Sequence, residues 1–201
     1  MILFMDRARE LSKNFWGDSL THISIPLSLQ HLLPATTLNF LSTFGFPSAE
    51  AIHKVTKRIY PFDPEKMRRI EFQNLTYMAF NYSEPETIAI QSPIGEIWML
   101  YDPYDNKTPA PHPTLFVNSD IERYLYFSTM YLNLRQELFT LEKQYLELNM
   151  TGKERDKLDE EREHKVDMTK EAFKGMDAPT IGQDTQETWW SFQLFDLIAY
   201  Y

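Results

Sequence analysis

Between Ile121 and Leu148, apolar residues return at every seventh position in three parallel columns. One column is Tyr124, Tyr131, Leu138 and Tyr145. A second is Leu125, Leu132, Phe139 and Leu146, and a third is Phe127, Leu134, Leu141 and Leu148. At ~100° per residue the columns cover roughly 160° of a helix surface. A stripe that wide contacts two neighbours at once, a sheet and another helix for example, so the rest of the chain must supply both. The spacing therefore predicts one long buried helix over 121–148, ended by "NMTG".

The segments before it supply the sheet. "LTYMAFNYS" is rich in aromatic residues, and "TIAIQ" alternates, with Ile88 and Ile90 on one face. "EIWMLYD" follows after "SPIG", whose Pro93 and Gly95 make a tight turn, so 87–101 reads as a hairpin. "PYDNKTPAPHPT" has too many prolines for regular structure and reads as an exposed loop that includes His112. "LFV" is a short last strand. The first third reads as helical. Leu3, Ala8, Leu11 and Phe15 share a helical spacing that Gly17 stops. In "PATTLNFLSTFG", Pro34 opens a helix, Leu38, Leu41 and Phe44 form its face, and Gly45 ends it.

After the long helix, "KERDKLDEEREHKVDMTKEAFKG" reads as a solvated helix held by pairs such as Glu161 with Lys165. Its apolar stripe is narrow: Val166, Thr169, Phe173 and Met176. The tail "ETWWSFQLFDLIAYY" is too apolar for water. It is expected to fold back with Trp189, Phe192, Phe195 and Ala199 on one inner face, one of Trp189 and Trp190 being a core anchor and the other partly exposed. The fold class is therefore α+β: a mainly antiparallel sheet packed with helices, with long C-terminal helices. The expected organisation is a single domain over 1–201. It has a helical N-terminal extension at 1–32, a core at 33–127 and C-terminal helices at 128–201.

Composition narrows the function. Of 201 residues 43% are hydrophobic, enough for a core without staples, and the absence of cysteine excludes disulfides, thiolate nucleophiles and cysteine-built zinc sites. The histidines (His22, His31, His53, His112, His164) are scattered, so no metal is expected. There is no P-loop, GxGxxG or GxSxG, and no catalytic residue, enzyme activity or cofactor is expected. The N-terminal "MILFM" is too short for a signal peptide, and no run reaches the roughly 18 apolar residues of a membrane span. A soluble, cytoplasmic protein without membrane contact is expected. A net charge of −9 disfavours direct nucleic-acid binding and favours a basic partner.

That charge is concentrated. Over 81–122 the acidic residues Glu84, Glu86, Glu96, Asp102, Asp105, Asp120 and Glu122 face a single cation, Lys107. Glu84 and Glu86, with Asp102 and Asp105 beside Tyr101 and Tyr104, form the candidate partner-binding surface. Tyrosine suits an interface core, and clustered carboxylates speed docking onto a basic protein. General acid–base work by these carboxylates is the lesser reading. "YDPYDN" could offer Asp102, Asp105 and Asn106 to a hard cation but lacks the ligand order and glycine of a calcium loop.

Asn118 and Ser119 stand where the last strand gives way to the long helix. Ser119-Asp120-Ile121-Glu122 has the form of a capping box. In that reading Ser119 accepts from the Glu122 N–H, the Glu122 carboxylate returns to the Ser119 N–H, and Asn118 fixes the strand exit through a side-chain turn. Nothing local supplies a base for a nucleophilic serine.

The segments "LPATTLNFLSTFGFPSA", "IAIQSPIGEIWMLYD", "LFVNSDIERYLYFSTMY" and "WWSFQLFDL" together resemble the SUKH superfamily, in particular its fourth subgroup of bacterial immunity proteins. Members share a glycine-bearing strand hairpin, a Phe-Val/Ile-Asn-Ser/Thr lead into a helix, and a tryptophan opening the last helix. The order and spacing match across 33–200. The resemblance implies a SUKH-like α+β fold. It also implies a stoichiometric inhibitor that binds a cognate secreted or contact-delivered toxin, nucleases among the classes that fit. The columns of the long helix separately suit a monomer that buries them all, or a weak homodimer if one column faces a second copy. The alternative the resemblance leaves is a regulatory adaptor of the same fold that binds a cellular protein. The family carries over no catalytic residue, and its binding surface varies with the toxin.

Overall fold

The computed structural model describes residues 2–56, 59–83, 86–101, 112–147, 152–182 and 188–199. Helix α1 (Ile2–Trp16) stops at Gly17, which takes φ +49. A two-stranded ribbon follows, β1 (Leu20–Thr21) with β2 (Phe46–Pro47), enclosing a short turn of helix α2 (Leu27–Gln30) and helix α3 (Ala35–Thr43). Pro34 is the N-cap of α3, one position before the first turn. Gly45 is required where it stands: at φ +88, a Cβ would lie 2.6 Å from the Thr21 carbonyl oxygen. Helix α4 (Ala49–Val55) is capped by the Ser48 hydroxyl, which accepts from the Ala51 N–H.

The main sheet is a five-stranded antiparallel meander: β3 (Arg68–Phe72), β4 (Leu75–Ser83), β5 (Glu86–Ser92), β6 (Ile97–Tyr101) and β7 (His112–Asn118), in that spatial order. Strand β3 has no counterpart in the sequence reading. It is joined to β4 by the two-residue turn Gln73-Asn74, both at positive φ as a type I′ turn requires. Strand β7 starts earlier than expected, taking in His112, Pro113 and Thr114. An edge strand tolerates Pro113 because its ladder is bonded on one side only. Residues 102–111, most of the expected loop, lie outside the described residues.

Alternation divides the sheet into two faces. Met78, Phe80, Ile88, Ile90, Ile97, Met99 and Val117 join the main core. Ile70, Tyr77, Ala79, Ala89 and Leu100, with Phe72 and Trp98 against them, form a smaller cluster on the other face. The helical layer lies on the first face and is organised by α5 (Ile121–Glu147), with α6 (Gly152–Met176) and α7 (Trp189–Ala199) packed beside it.

Helix α5 buries what the columns predicted near its start: Tyr124, Leu125, Phe127, Tyr131, Leu132, Leu134 and Leu138 are all in the core. The second column then turns outward, and Phe139 is 57% exposed. Helix α1 is fastened to α5 by a buried polar contact in which Ser12 and the Trp16 indole both donate to the Thr129 hydroxyl, at 3.1 and 2.9 Å. The Thr129 hydroxyl itself donates back to the Leu125 carbonyl, so it is fully used.

Helix α6 keeps Val166, Phe173 and Met176 inside as expected, and adds Leu158 and the side chain of Arg162, which pairs with Asp159. Lys165 pairs with Glu137 of α5 at 3.2 Å rather than with Glu161. The tail does fold back, but on another face than expected. Trp189, Trp190, Leu194 and Leu197 are buried, while Phe192 and Phe195 are exposed. Neither tryptophan is the partly exposed one. The reason lies in packing: Phe127 and Phe173 stack at 4.0 Å, and the Trp190 ring sets its edge against both. Among the described residues no helix is long and apolar enough to cross a membrane.

Candidate functional site

Asn118 and Ser119 form a joint, with other partners than a capping box would give them. The oxygen that caps α5 belongs to Asp120, whose Oδ1 accepts from the Arg123 N–H at 2.8 Å. The Asp120 carboxylate also pairs with the Arg123 guanidinium. The expected Ser119–Glu122 exchange is replaced on both sides. Glu122 accepts from the Tyr126 hydroxyl at 2.6 Å. Ser119 gives its backbone N–H (2.8 Å) and its hydroxyl (2.6 Å) to the two oxygens of Asp177, which lies just past the end of α6. A buried carboxylate outcompetes a local cap here because it satisfies two donors at once.

Asn118, fully buried, reaches across the layers instead of making a local turn. Its Oδ1 accepts from the Trp190 indole at 2.9 Å, and its Nδ2 faces Asp177 and Thr180 at 3.5 and 3.4 Å. Thr188 donates to the Thr180 carbonyl at 2.5 Å. Arg123 Nε donates to the Met176 carbonyl at 3.0 Å. One cluster thus ties the end of β7, the start of α5, the end of α6 and the start of α7. Its hydroxyls, amide and indole each have a partner within the protein.

Asp177 was not legible in advance. The "MDAPT" segment signals a turn through Asp177 and Pro179, but nothing in it names a partner 58 positions away.

The acidic candidates fall elsewhere. Glu84, Asp102, Tyr104 and Asp105 lie outside the described residues. Glu86 opens β5 and Tyr101 closes β6, and the two are register partners; Tyr101 is in turn the register partner of His112 at the start of β7. Ser83, Glu86, Tyr101 and His112 are therefore strand ends on one side of the sheet, and the two acidic segments, 84–86 and 102–105, flank them in sequence.

The free edge of the sheet carries a second charged group. On β3 the Arg69 guanidinium bonds the Glu71 carboxylate, and the Thr76 hydroxyl lies 3.0 Å from both carboxylate oxygens. The Arg69 hydrogen bond, then Thr76, holds the Glu71 carboxyl below the usual carboxylate range. On the outer sheet face, the Trp98 indole donates to Glu96 at 3.1 Å and sets its edge against Phe116. Among the described residues no three His, Asp or Glu side chains gather where a metal ion could be held.

Two phenols are perturbed within the helical layer. Burial pushes the Tyr124 hydroxyl above the ordinary tyrosine range, and it bridges the Tyr60 backbone, accepting from its N–H and donating to its carbonyl. Burial, then donation to Glu122, pushes Tyr126 up as well.

No protein-family model, curated protein or solved structure matches the chain.

Proposed function

We propose that this chain is an immunity protein of SUKH type: a stoichiometric binder that neutralises a basic toxin acting in the cytoplasm, without chemistry of its own. The observation that carries this reading is the convergence of strand ends. Ser83, Glu86, Tyr101 and His112 share one end of the sheet, and the chain's two acidic segments, with Glu84, Asp102, Tyr104 and Asp105, adjoin them in sequence.

A chain of net charge −9 with acidic segments next in sequence to the strand ends of its sheet is suited to a cationic protein. Toxins that act on nucleic acid are commonly basic, because their substrate is polyanionic. Covering the basic surface blocks the substrate, and complementary charge speeds the encounter. The use of Asn118 and Ser119 in a cluster that ties four elements together fits a binder whose work there is architectural.

The test is capture from the native host with a tagged chain, followed by co-expression. The expected result is one stoichiometric partner whose C-terminal domain kills cells unless this chain is present. A partner that is not toxic, or killing that this chain does not relieve, overturns the reading. Asp102→Lys with Asp105→Lys is then expected to weaken the complex and flatten its salt dependence. An unchanged affinity and salt slope would place the contact elsewhere.

A further inference from the structure

Strand β3 pairs with β4 on one side, and among the described residues no strand pairs with its other side. Such an edge offers unpaired N–H and C=O groups, which natural sheets usually protect with charge and shortness. Strand β3 is short and charged, so simple protection is the first explanation to weigh. The order of its charges argues for something more specific.

The backbone groups that face outward can be identified. The two-residue turn Gln73-Asn74 makes Phe72 and Leu75 the closing pair of the hairpin, which exchanges both ladder bonds. Bonding to β4 then alternates along β3, at Phe72, Ile70 and Arg68. The outward N–H and C=O groups belong to Arg69 and Glu71, the two residues whose side chains are exposed and oppositely charged.

We propose that this edge is a homodimer interface, in which two copies of β3 pair antiparallel about a two-fold axis at Ile70 and join their sheets into one. In that register Arg69 of each copy lies opposite Glu71 of the other. Both pairs exchange backbone bonds and both bring unlike charges together. On the opposite face Ile70 meets Ile70, and Arg68 lies opposite Phe72. The cluster of Ile70, Tyr77, Ala79 and Leu100 then runs on across the axis into the second copy.

Charge selects this register over its neighbours. Sliding the strands by two residues keeps side chains on their proper faces but sets Arg69 against Arg69 in one direction, and Glu71 against Glu71 in the other. Like charges directly opposite are destabilising. The contact is isologous and closes after two copies, as a two-fold interface must. The Thr76 hydroxyl, by holding the Glu71 carboxylate, keeps the acceptor in place before the second copy arrives.

Sedimentation equilibrium of the full chain, from micromolar to millimolar concentration, tests this with three variants. The wild type is expected to shift from monomer to dimer with concentration. Glu71→Arg and Arg69→Glu, which put like charges opposite each other, should each weaken the dimer at least tenfold. The double swap Arg69→Glu with Glu71→Arg should restore it. Circular dichroism melts check that each variant folds. A wild type that stays monomeric throughout overturns the proposal. So does a dimer that either single variant leaves intact, which would be held by another surface such as that around Phe139.

Discussion

Two knots of polar side chains in this molecule use the same chemistry to different ends. At the end of β7, Asp177 accepts from Ser119 and faces Asn118 in a largely buried site, with Trp190 against one side. On β3, Glu71 accepts from Arg69 and Thr76 in the open. The first knot joins four elements that are distant in the chain. The second joins residues within one hairpin and leaves its backbone edge free. A buried polar group must be matched inside the protein, so it specifies architecture. An exposed one keeps water as an alternative and is available to a partner.

The difference can be broken from the buried side first. Trp190→Ala removes the ring that touches Phe127, Tyr131 and Phe173 and strands the Asn118 oxygen. It should cost about 3–5 kcal/mol in chemical denaturation, the range for a large buried aromatic. Asp177→Ala should cost about 2–3 kcal/mol, because two Ser119 donors lose their acceptor together. Asp177→Asn keeps one acceptor and should fall between the wild type and the alanine variant.

Alkaline titration probes the same layer by another route. Tyr124 and Tyr126 are raised in the folded state, so their contribution is present below the ordinary tyrosine pKa of about 10. It is lost as pH rises above that range, since the unfolded chain gives up its phenolic protons first. Tyr126→Phe should flatten the fall in stability at high pH, followed by melts at stepped pH.

Asp120→Ala removes a single helix cap and should cost about 1 kcal/mol, less than either variant in the buried knot. Glu71→Gln should leave the monomer's thermal midpoint unchanged at low concentration. A large drop there would make the exposed knot structural after all and erase the contrast.

What the sequence disclosed follows from the range of the forces involved. The span of α5, the 87–101 hairpin and the stops at Gly17 and Gly45 depend on periodicity and local backbone freedom, which neighbouring residues express. The inner face of α7 was misread because that segment is apolar all round, so spacing alone could not separate Trp190 and Leu194 from Phe192 and Phe195. Strand β3 was missed because "RRIEF" reads as a charged patch, and only its pairing with β4 makes it a strand. The partners of Asn118 and Ser119 were out of reach because the groups that bind them lie 58 to 72 positions away. The acidic candidates were found by composition, and the structure adds the register of Glu86 with Tyr101.

The two fastenings of α5 also set how the molecule would carry a mechanical load. Tension applied through α1 passes to α5 at Thr129, and tension applied through α7 passes to it where Trp190 meets Phe127 and Tyr131. The line between those anchors spans less than one turn of a single helix and bypasses strands β3 to β6. A pull on α1 and α7 would therefore strip one of them from α5 while the sheet, with its β3 edge, stayed slack and folded.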